Sequence, residues 1–124
     1  MIIGLGIDIV DSARIQGWED IPGLIPRFFA EDEINEAKKR GKGYLFSLAA
    51  RFAAKEAFGK ALGTGLKGIK LKDIKVLNDS SGKPVMEIGN TALKVYKMLG
   101  ADRIHLSLTH EKSNAVAVVI IEKF

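Results

Sequence analysis

Two carboxylates, a lysine, a histidine and a glycine-rich corner are the residues of this chain whose types and spacing could do chemistry. Asp8 interrupts an otherwise apolar run, Met1–Val10 (MIIGLGIDIV). Glu56 and Lys60 stand four residues apart in Arg51-Phe-Ala-Ala-Lys-Glu-Ala-Phe-Gly-Lys60, shortly before Gly63-Thr64-Gly65. His110 closes the segment Ser107-Leu-Thr-His110. A carboxylate aimed at an apolar interior is costly unless a cation, hydrogen-bond donors or a wet cleft compensates it. With no cysteine and only His105 and His110 as histidines, a metal here would be a hard one. Mg²⁺, held through carboxylates and phosphate oxygens, is the leading choice. Plainer readings stand beside this one. Glu56 and Lys60 could form a surface pair at i, i+4, and Asp8 could satisfy backbone donors at a strand end. Gly63 could be a helix C-cap, although Gly63-Thr64-Gly65 would also let a phosphate approach backbone N–H groups.

The elements that must position these groups are legible from periodicity. Leu45, Leu48, Ala49, Phe52 and Ala53 recur at helical spacing and predict a long central helix, Tyr44 to Leu62, bounded by Gly41, Gly43 and Gly63. Glu56 falls near the middle of its apolar stripe. Met1–Val10 predicts a strand buried on both faces. Asp11 or Ser12 supplies the N-cap of a short helix, and Pro22 and Pro26 break up the stretch that follows. Ala30 to Arg40 predicts a polar helix whose order, Glu31-Asp32-Glu33 first and Lys38-Lys39-Arg40 last, suits the helix dipole. Those charges read as a solvated face. Leu71–Leu77 and Val85–Ile88 predict strands around the turn Asn78–Pro84. A helix is expected over Thr91–Leu99, then strands Arg103–Thr109 and Ala115–Glu122 joined by a His110–Asn114 loop. The order β-α-α-α-β-β-α-β-β implies an α+β fold with a mainly antiparallel sheet. The absence of a glycine-rich βαβ fingerprint argues against Rossmann and P-loop enzymes.

At 124 residues the chain, 1–124, forms one domain. The lack of cysteine excludes disulfides and thiolate metal sites. The first ten residues carry no basic n-region and read as a strand rather than a signal peptide. No apolar run reaches the ~20 residues of a membrane span, so a cytoplasmic location is expected. Net charge of +4 favours an acidic partner or polyanionic ligand without arguing for nucleic acid.

Three segments together are specific: Gly4-Leu-Gly-Ile-Asp-Ile-Val10, Arg51–Lys60 with Gly63-Thr64-Gly65, and Ser107-Leu-Thr-His110. In this order and at these separations they resemble the holo-[acyl-carrier-protein] synthases, the small trimeric class of 4′-phosphopantetheinyl transferases. Gly82-Lys-Pro84 fits as well. The resemblance runs end to end and is loosest between Gly17 and Lys42. It implies the 4′-phosphopantetheinyl transferase fold and transfer of 4′-phosphopantetheine from coenzyme A to a serine of apo-acyl carrier protein, in support of fatty acid biosynthesis. It further implies Mg²⁺ on Asp8 and Glu56, Lys60 near the phosphates, and His110 in coenzyme A binding. Arg51, Ser107 and Thr109 become contacts to the 3′-phosphate or adenine side, and Gly63, Thr64 and Gly65 part of the cofactor site. It also implies a homotrimer with sites between subunits, and Arg14 and Arg27 facing the acidic carrier. His105 is expected to be structural. Glu111 stands where a small polar residue is expected, so it must point away from phosphate or alter that corner.

Overall fold

The structure, a computed structural model, describes residues 1–124. Its frame is a three-stranded antiparallel sheet in the order β1 (Ile2–Asp11), β5 (Asn114–Glu122), β4 (Arg103–Glu111). Four helices follow β1: α1 (Ser12–Glu19), α2 (Leu24–Phe28), α3 (Glu31–Lys38) and α4 (Tyr44–Leu62). A separate hairpin, β2 (Ile74–Asn78) with β3 (Pro84–Ile88), and the helix α5 (Asn90–Met98) lead into β4. The fold is α+β with antiparallel pairing throughout.

The core lies between α4 and one face of the sheet. Strand alternation points Ala115, Ala117, Val119 and Ile121 of β5 inward, and all four are fully buried. Against them α4 sets Ala49, Ala53, Ala57 and Ala61 with Leu48 and Phe58. Small residues on both surfaces let backbones come close. A Cβ on Gly4 would lie 2.0 Å from the Ala61 carbonyl oxygen, and one on Gly6 1.9 Å from that of Ala57. Glycine is therefore required at these strand positions by space, not by backbone angle. At the ends, Asp11 caps α1 by accepting the Ala13 N–H at 2.9 Å. Gly63, in the left-handed region at φ 82°, closes α4 at the expected residue.

Several expectations are corrected. β1 is not buried on both faces: Leu5, Ile7 and Ile9 are 58–65% exposed on the sheet's outer side. Its continuous apolar run records one face packed on α4 and a second that a single chain leaves uncovered. α2 forms around Pro26 because its third position lacks an intrahelical N–H partner in any case. Leu71–Asp73 is a 3-10 turn, so β2 begins only at Ile74. His110 and Glu111 are not loop residues; they pair with Ala115 and Asn114, and the turn narrows to Lys112-Ser113.

The largest difference concerns Glu33. Expected on a solvated face, it is fully buried. Its Oε1 accepts the Ala30 N–H at 3.0 Å and Lys55 Nζ at 2.7 Å, and its Oε2 accepts the Val76 N–H at 3.0 Å. Lys55, also fully buried, donates further to the carbonyls of Leu71 and Ile74. A charge pattern that suits a helix dipole does not say which acid the next layer will cover. Gly6→Ala and Gly4→Ala are each expected to destabilise the fold by about 1–3 kcal/mol, measured by urea denaturation. Gly17→Ala, where an added Cβ meets nothing within 4 Å, serves as control and should not lose stability.

Candidate functional site

Asp8 reaches α4 through the same alternation that turns Gly4 and Gly6 inward. Its neighbour on the inner face is Ala117, across the β1–β5 ladder. Lys60 Nζ donates to Asp8 Oδ1 at 2.9 Å and to the Ile7 carbonyl at 3.0 Å. Lys60 thus pairs with Asp8, and the i, i+4 surface pair with Glu56 does not form. Glu56, half-buried, takes part in none of the four ion pairs of the chain. Burial, and after it the Asp8 charge, pushes its carboxyl above the ordinary value, with Arg14 and Lys60 acting in the opposite sense. Two neighbouring carboxylates, one of them without an ion-pair contact, fit a hard divalent ion that would relieve their repulsion. No cluster of three or more metal-binding side chains is present, so such an ion would complete its shell from phosphate and water, as Mg²⁺ commonly does.

Arg14 borders this cluster. Its guanidinium lies 5.1 Å from the Phe52 ring centre and 5.8 Å from that of Trp18. Trp18 meets Phe52 edge-on at 4.9 Å and Phe28 at 5.2 Å. Sequence reasoning passed over this aromatic cluster, although Arg14 and Trp18 stand four apart on a predicted helix.

The other sequence-predicted groups gather elsewhere. A cleft of about 490 Å³ opens between the start of α4, the β2–β3 hairpin and the end of β4; Arg51, Asn78, Gly82, Thr109 and His110 are among its walls. Arg51 is only 5% exposed. Its Nε donates to the Val76 carbonyl at 2.9 Å, one terminal nitrogen to Asn78 Oδ1 at 3.1 Å, and the other to the Ser47 hydroxyl. Every partner is neutral, and no carboxylate pairs with it. Burial pulls its pKa below the usual arginine value, against the pull of Glu33 and Glu36. His110 packs edge-on against Phe46 at 4.8 Å.

Other predicted contacts separate. Ser107 and Thr109 lie on the sheet's outer side, opposite Val118 and Val116. Thr109 still borders the cleft and Ser107 is no part of it. The Gly63 and Gly65 N–H groups donate to the carbonyls of Lys60 and Gly59, both at 3.0 Å. These glycines end the helix, and their N–H groups are not offered to a phosphate. Glu111 is exposed beside Lys112 and lies outside the Arg51 cleft. His105 pairs with Glu122 on the sheet's outer side, away from both groups.

Helix geometry explains the division. Glu56 is five residues beyond Arg51, about 140° around the helix, and Lys60 nine beyond, about 180° around and 13.5 Å along. One chain therefore presents a carboxylate–lysine cluster and a basic cleft on different sides of α4.

The raised pKa of Glu56 has a sign that can be measured. The folded state favours its protonated form, so this group's contribution is intact below the ordinary value of 4.5 and is lost as pH rises through the raised folded value. In chelator-treated protein, Glu56→Gln should match wild-type stability at low pH and exceed it near neutrality. Saturating Mg²⁺ should stabilise wild type and not the variant. Equal pH–stability curves would refute this account of Glu56.

Residues 4–119 match the model of the 4′-phosphopantetheinyl transferase superfamily. The holo-[acyl-carrier-protein] synthase of Treponema denticola is 57% identical over 98% of this chain and 99% of its own length. That of Clostridium tetani is 45% identical over 98% and 97%. The structure of the Neisseria meningitidis holo-[acyl-carrier-protein] synthase aligns with a TM-score of 0.88 at 36% identity, covering 99% of this chain and all of its own. A Bacillus anthracis synthase in complex with CoA (3′,5′-ADP) aligns with a TM-score of 0.82 at 39% identity over 100% and 99%. With sequence and fold matching over nearly the whole length, the chain belongs to the holo-[acyl-carrier-protein] synthase family of 4′-phosphopantetheinyl transferases.

Proposed function

We infer that the protein transfers 4′-phosphopantetheine from coenzyme A to a serine of apo-acyl carrier protein, releasing adenosine 3′,5′-bisphosphate. The observation that carries this reading is the pair of uncompensated groups flanking α4. Arg51 is a buried cation with no ion-paired carboxylate, and Glu56 is a half-buried carboxylate that no lysine or arginine pairs directly. A ligand that is a polyanion at one end and a metal-bridged pyrophosphate at the other answers both.

In the reaction, the carrier serine oxygen attacks the phosphorus bearing the pantetheine arm. The bond from that phosphorus to the bridging oxygen breaks, and the serine proton is given up as the new ester forms. Negative charge grows on the departing bisphosphate. Asp8 and Glu56 would hold Mg²⁺, which when bound neutralises pyrophosphate oxygens. Lys60, more than half exposed and tethered to Asp8 at 2.9 Å, supplies a cation at the same place. Arg51, His110 and Thr109 line the cleft that takes the 3′-phosphate and adenine end, whereas Ser107, on the outer sheet face and outside that cleft, would reach the ligand only from a neighbouring subunit.

These two groups of residues meet if the enzyme is a homotrimer with sites between subunits. Support comes from the exposed apolar row Leu5, Ile7 and Ile9. It shares the outer side of the sheet with Ser107 and Thr109, across the strand from Val118 and Val116. Burying that row against a second copy would bring one chain's outer-face groups to another's surface. Arg14, beside the carboxylate cluster, and Arg27 at the end of α2 suit an acidic carrier, whose binding would weaken with salt. A cytoplasmic role in fatty acid biosynthesis belongs to the same reading.

The test is to incubate the protein with Mg²⁺, coenzyme A and apo-acyl carrier protein and weigh the carrier. A Mg²⁺-dependent gain of one phosphopantetheine is expected. Unchanged carrier mass would overturn the transfer, and coenzyme A cleaved without such a gain would point to hydrolysis. Asp8→Asn and Glu56→Gln should each lower turnover at least about 100-fold, the scale on which electrostatic transition-state stabilisation is lost, while remaining folded. Near-normal turnover in either variant would remove that residue from the metal site.

A further inference from the structure

The buried charged residues of the chain are three: Glu33, Arg51 and Lys55. One acid thus faces two cations. Ser47, Arg51 and Lys55 follow one another at i, i+4 along the side of α4 that meets β2, and both cations bond β2 carbonyls, Lys55 that of Ile74 and Arg51 that of Val76. Glu33 accepts the N–H of the same Val76. The acid and the arginine therefore hold the two polar groups of one β2 residue. Glu33 is spoken for by Lys55 at 2.7 Å, and Arg51 is left with neutral partners at the wall of the cleft.

We propose that Lys55 is a positioning residue: by holding Glu33, it keeps the Arg51 guanidinium free for an anionic ligand in the cleft. Lys55 itself is fully buried and is not among the cleft walls, so it acts through Arg51. Without Lys55, the buried Glu33 carboxylate would still face the charge of Arg51, which lies one helical turn from Lys55 on the same side of α4 and is itself buried. Lys75, the other cation that feels Glu33, is held by Asp32. A buried charge that loses its partner is strongly disfavoured, so the guanidinium would be drawn from Asn78 toward Glu33. The anion would lose its charge-assisted hydrogen bonds. The buried ion pair would then serve specificity of arrangement as well as the docking of β2 on α4.

The inference rests on reading the cleft as the site for the nucleotide end of coenzyme A, and the test separates the two ideas. Adenosine 3′,5′-bisphosphate is titrated calorimetrically into wild type, Arg51→Ala, Lys55→Met, Glu33→Gln and the Glu33→Gln/Lys55→Met double variant, with thermal midpoints measured in parallel. Lys55→Met should bind about tenfold or more weakly, the scale of a lost hydrogen bond to a charged group. Glu33→Gln should lower the thermal midpoint yet bind within about twofold of wild type, because Arg51 gains no competitor. The double variant should recover the affinity that Lys55→Met loses. A merely structural Lys55 would show no such recovery. Wild-type binding by Lys55→Met, or equal losses in Lys55→Met and Glu33→Gln, overturns the proposal. If Lys55→Met does not fold, the double variant and Glu33→Gln decide, and a tenfold loss in either is the overturning result. An unimpaired Arg51→Ala would instead overturn the reading of the cleft, and the proposal with it.

Discussion

The rest of the molecule depends on how closely β1 can lie against α4. Gly4 and Gly6 face the carbonyls of Ala61 and Ala57 at a distance that admits no side chain. The contact fixes two things at once. It sets the depth of the core, whose opposing surfaces are largely alanine, and it fixes which strand residue comes next on the inner face. That residue is Asp8, and its arrival beside Lys60 and near Glu56 follows from the period of two along the strand. The glycines are thus as much a part of the carboxylate cluster as the carboxylates. They determine position, and the acids supply charge.

α4 then acts as a divider. The row Phe52, Glu56, Lys60 turns toward α1 and β1, where Arg14 covers Phe52 and Lys60 bonds Asp8. The row Ser47, Arg51, Lys55 turns toward α3 and β2. Each row places charged side chains four residues apart, yet the two differ in solvation. On the first, Lys60 remains more than half exposed. On the second, both cations are buried: Lys55 is satisfied by Glu33 and two backbone carbonyls, Arg51 by a carbonyl and the neutral side chains of Ser47 and Asn78. A single helix can serve two chemically distinct surfaces because roughly 100° separates consecutive residues.

Much of this was legible in the sequence, and the failures have a common cause. The bounds of α4 follow from its glycine flanks and apolar spacing, and the structure places both ends where those signals put them. The β4–β5 hairpin follows from two apolar strands around a short connection, and the place of β1 on the other edge of β5 is what the fold adds. Asp8 and Glu56 were conspicuous because each interrupts an apolar pattern, and their neighbourhood in space is what the fold adds. Glu33 escaped because an acid in a helix's first turn already has a sufficient local explanation, and only the packing of β2 reveals that it is covered. Lys55 escaped for the converse reason: a lysine in a helix attracts no notice until both its ends are known to be buried. The glycines after α4 carried two local readings, and the hydrogen bonds of Gly63 and Gly65 show the cap. The exposure of Leu5, Ile7 and Ile9 could not be read from hydrophobicity. An apolar strand face looks the same in sequence whether its cover comes from its own chain or from elsewhere.

What distinguishes the two candidate half-sites from the surrounding core is incomplete charge compensation. Lys55 has Glu33, and Asp8 has Lys60. Arg51 and Glu56 have no ionic partner, and burial shifts each toward its neutral form. Such groups lower stability in the free protein, and a fold selected for packing alone would have little reason to keep two of opposite sign on one helix. Because the two face different sides of α4, they do not cancel each other. A ligand carrying phosphate to the arginine and a cation-bridged phosphate to the carboxylates would relieve both at once. In the proposed reaction such an arrangement would use binding interactions to orient the reacting phosphorus between fixed charges. The helix that separates the uncompensated groups is therefore also what prevents them from satisfying each other before the ligand arrives.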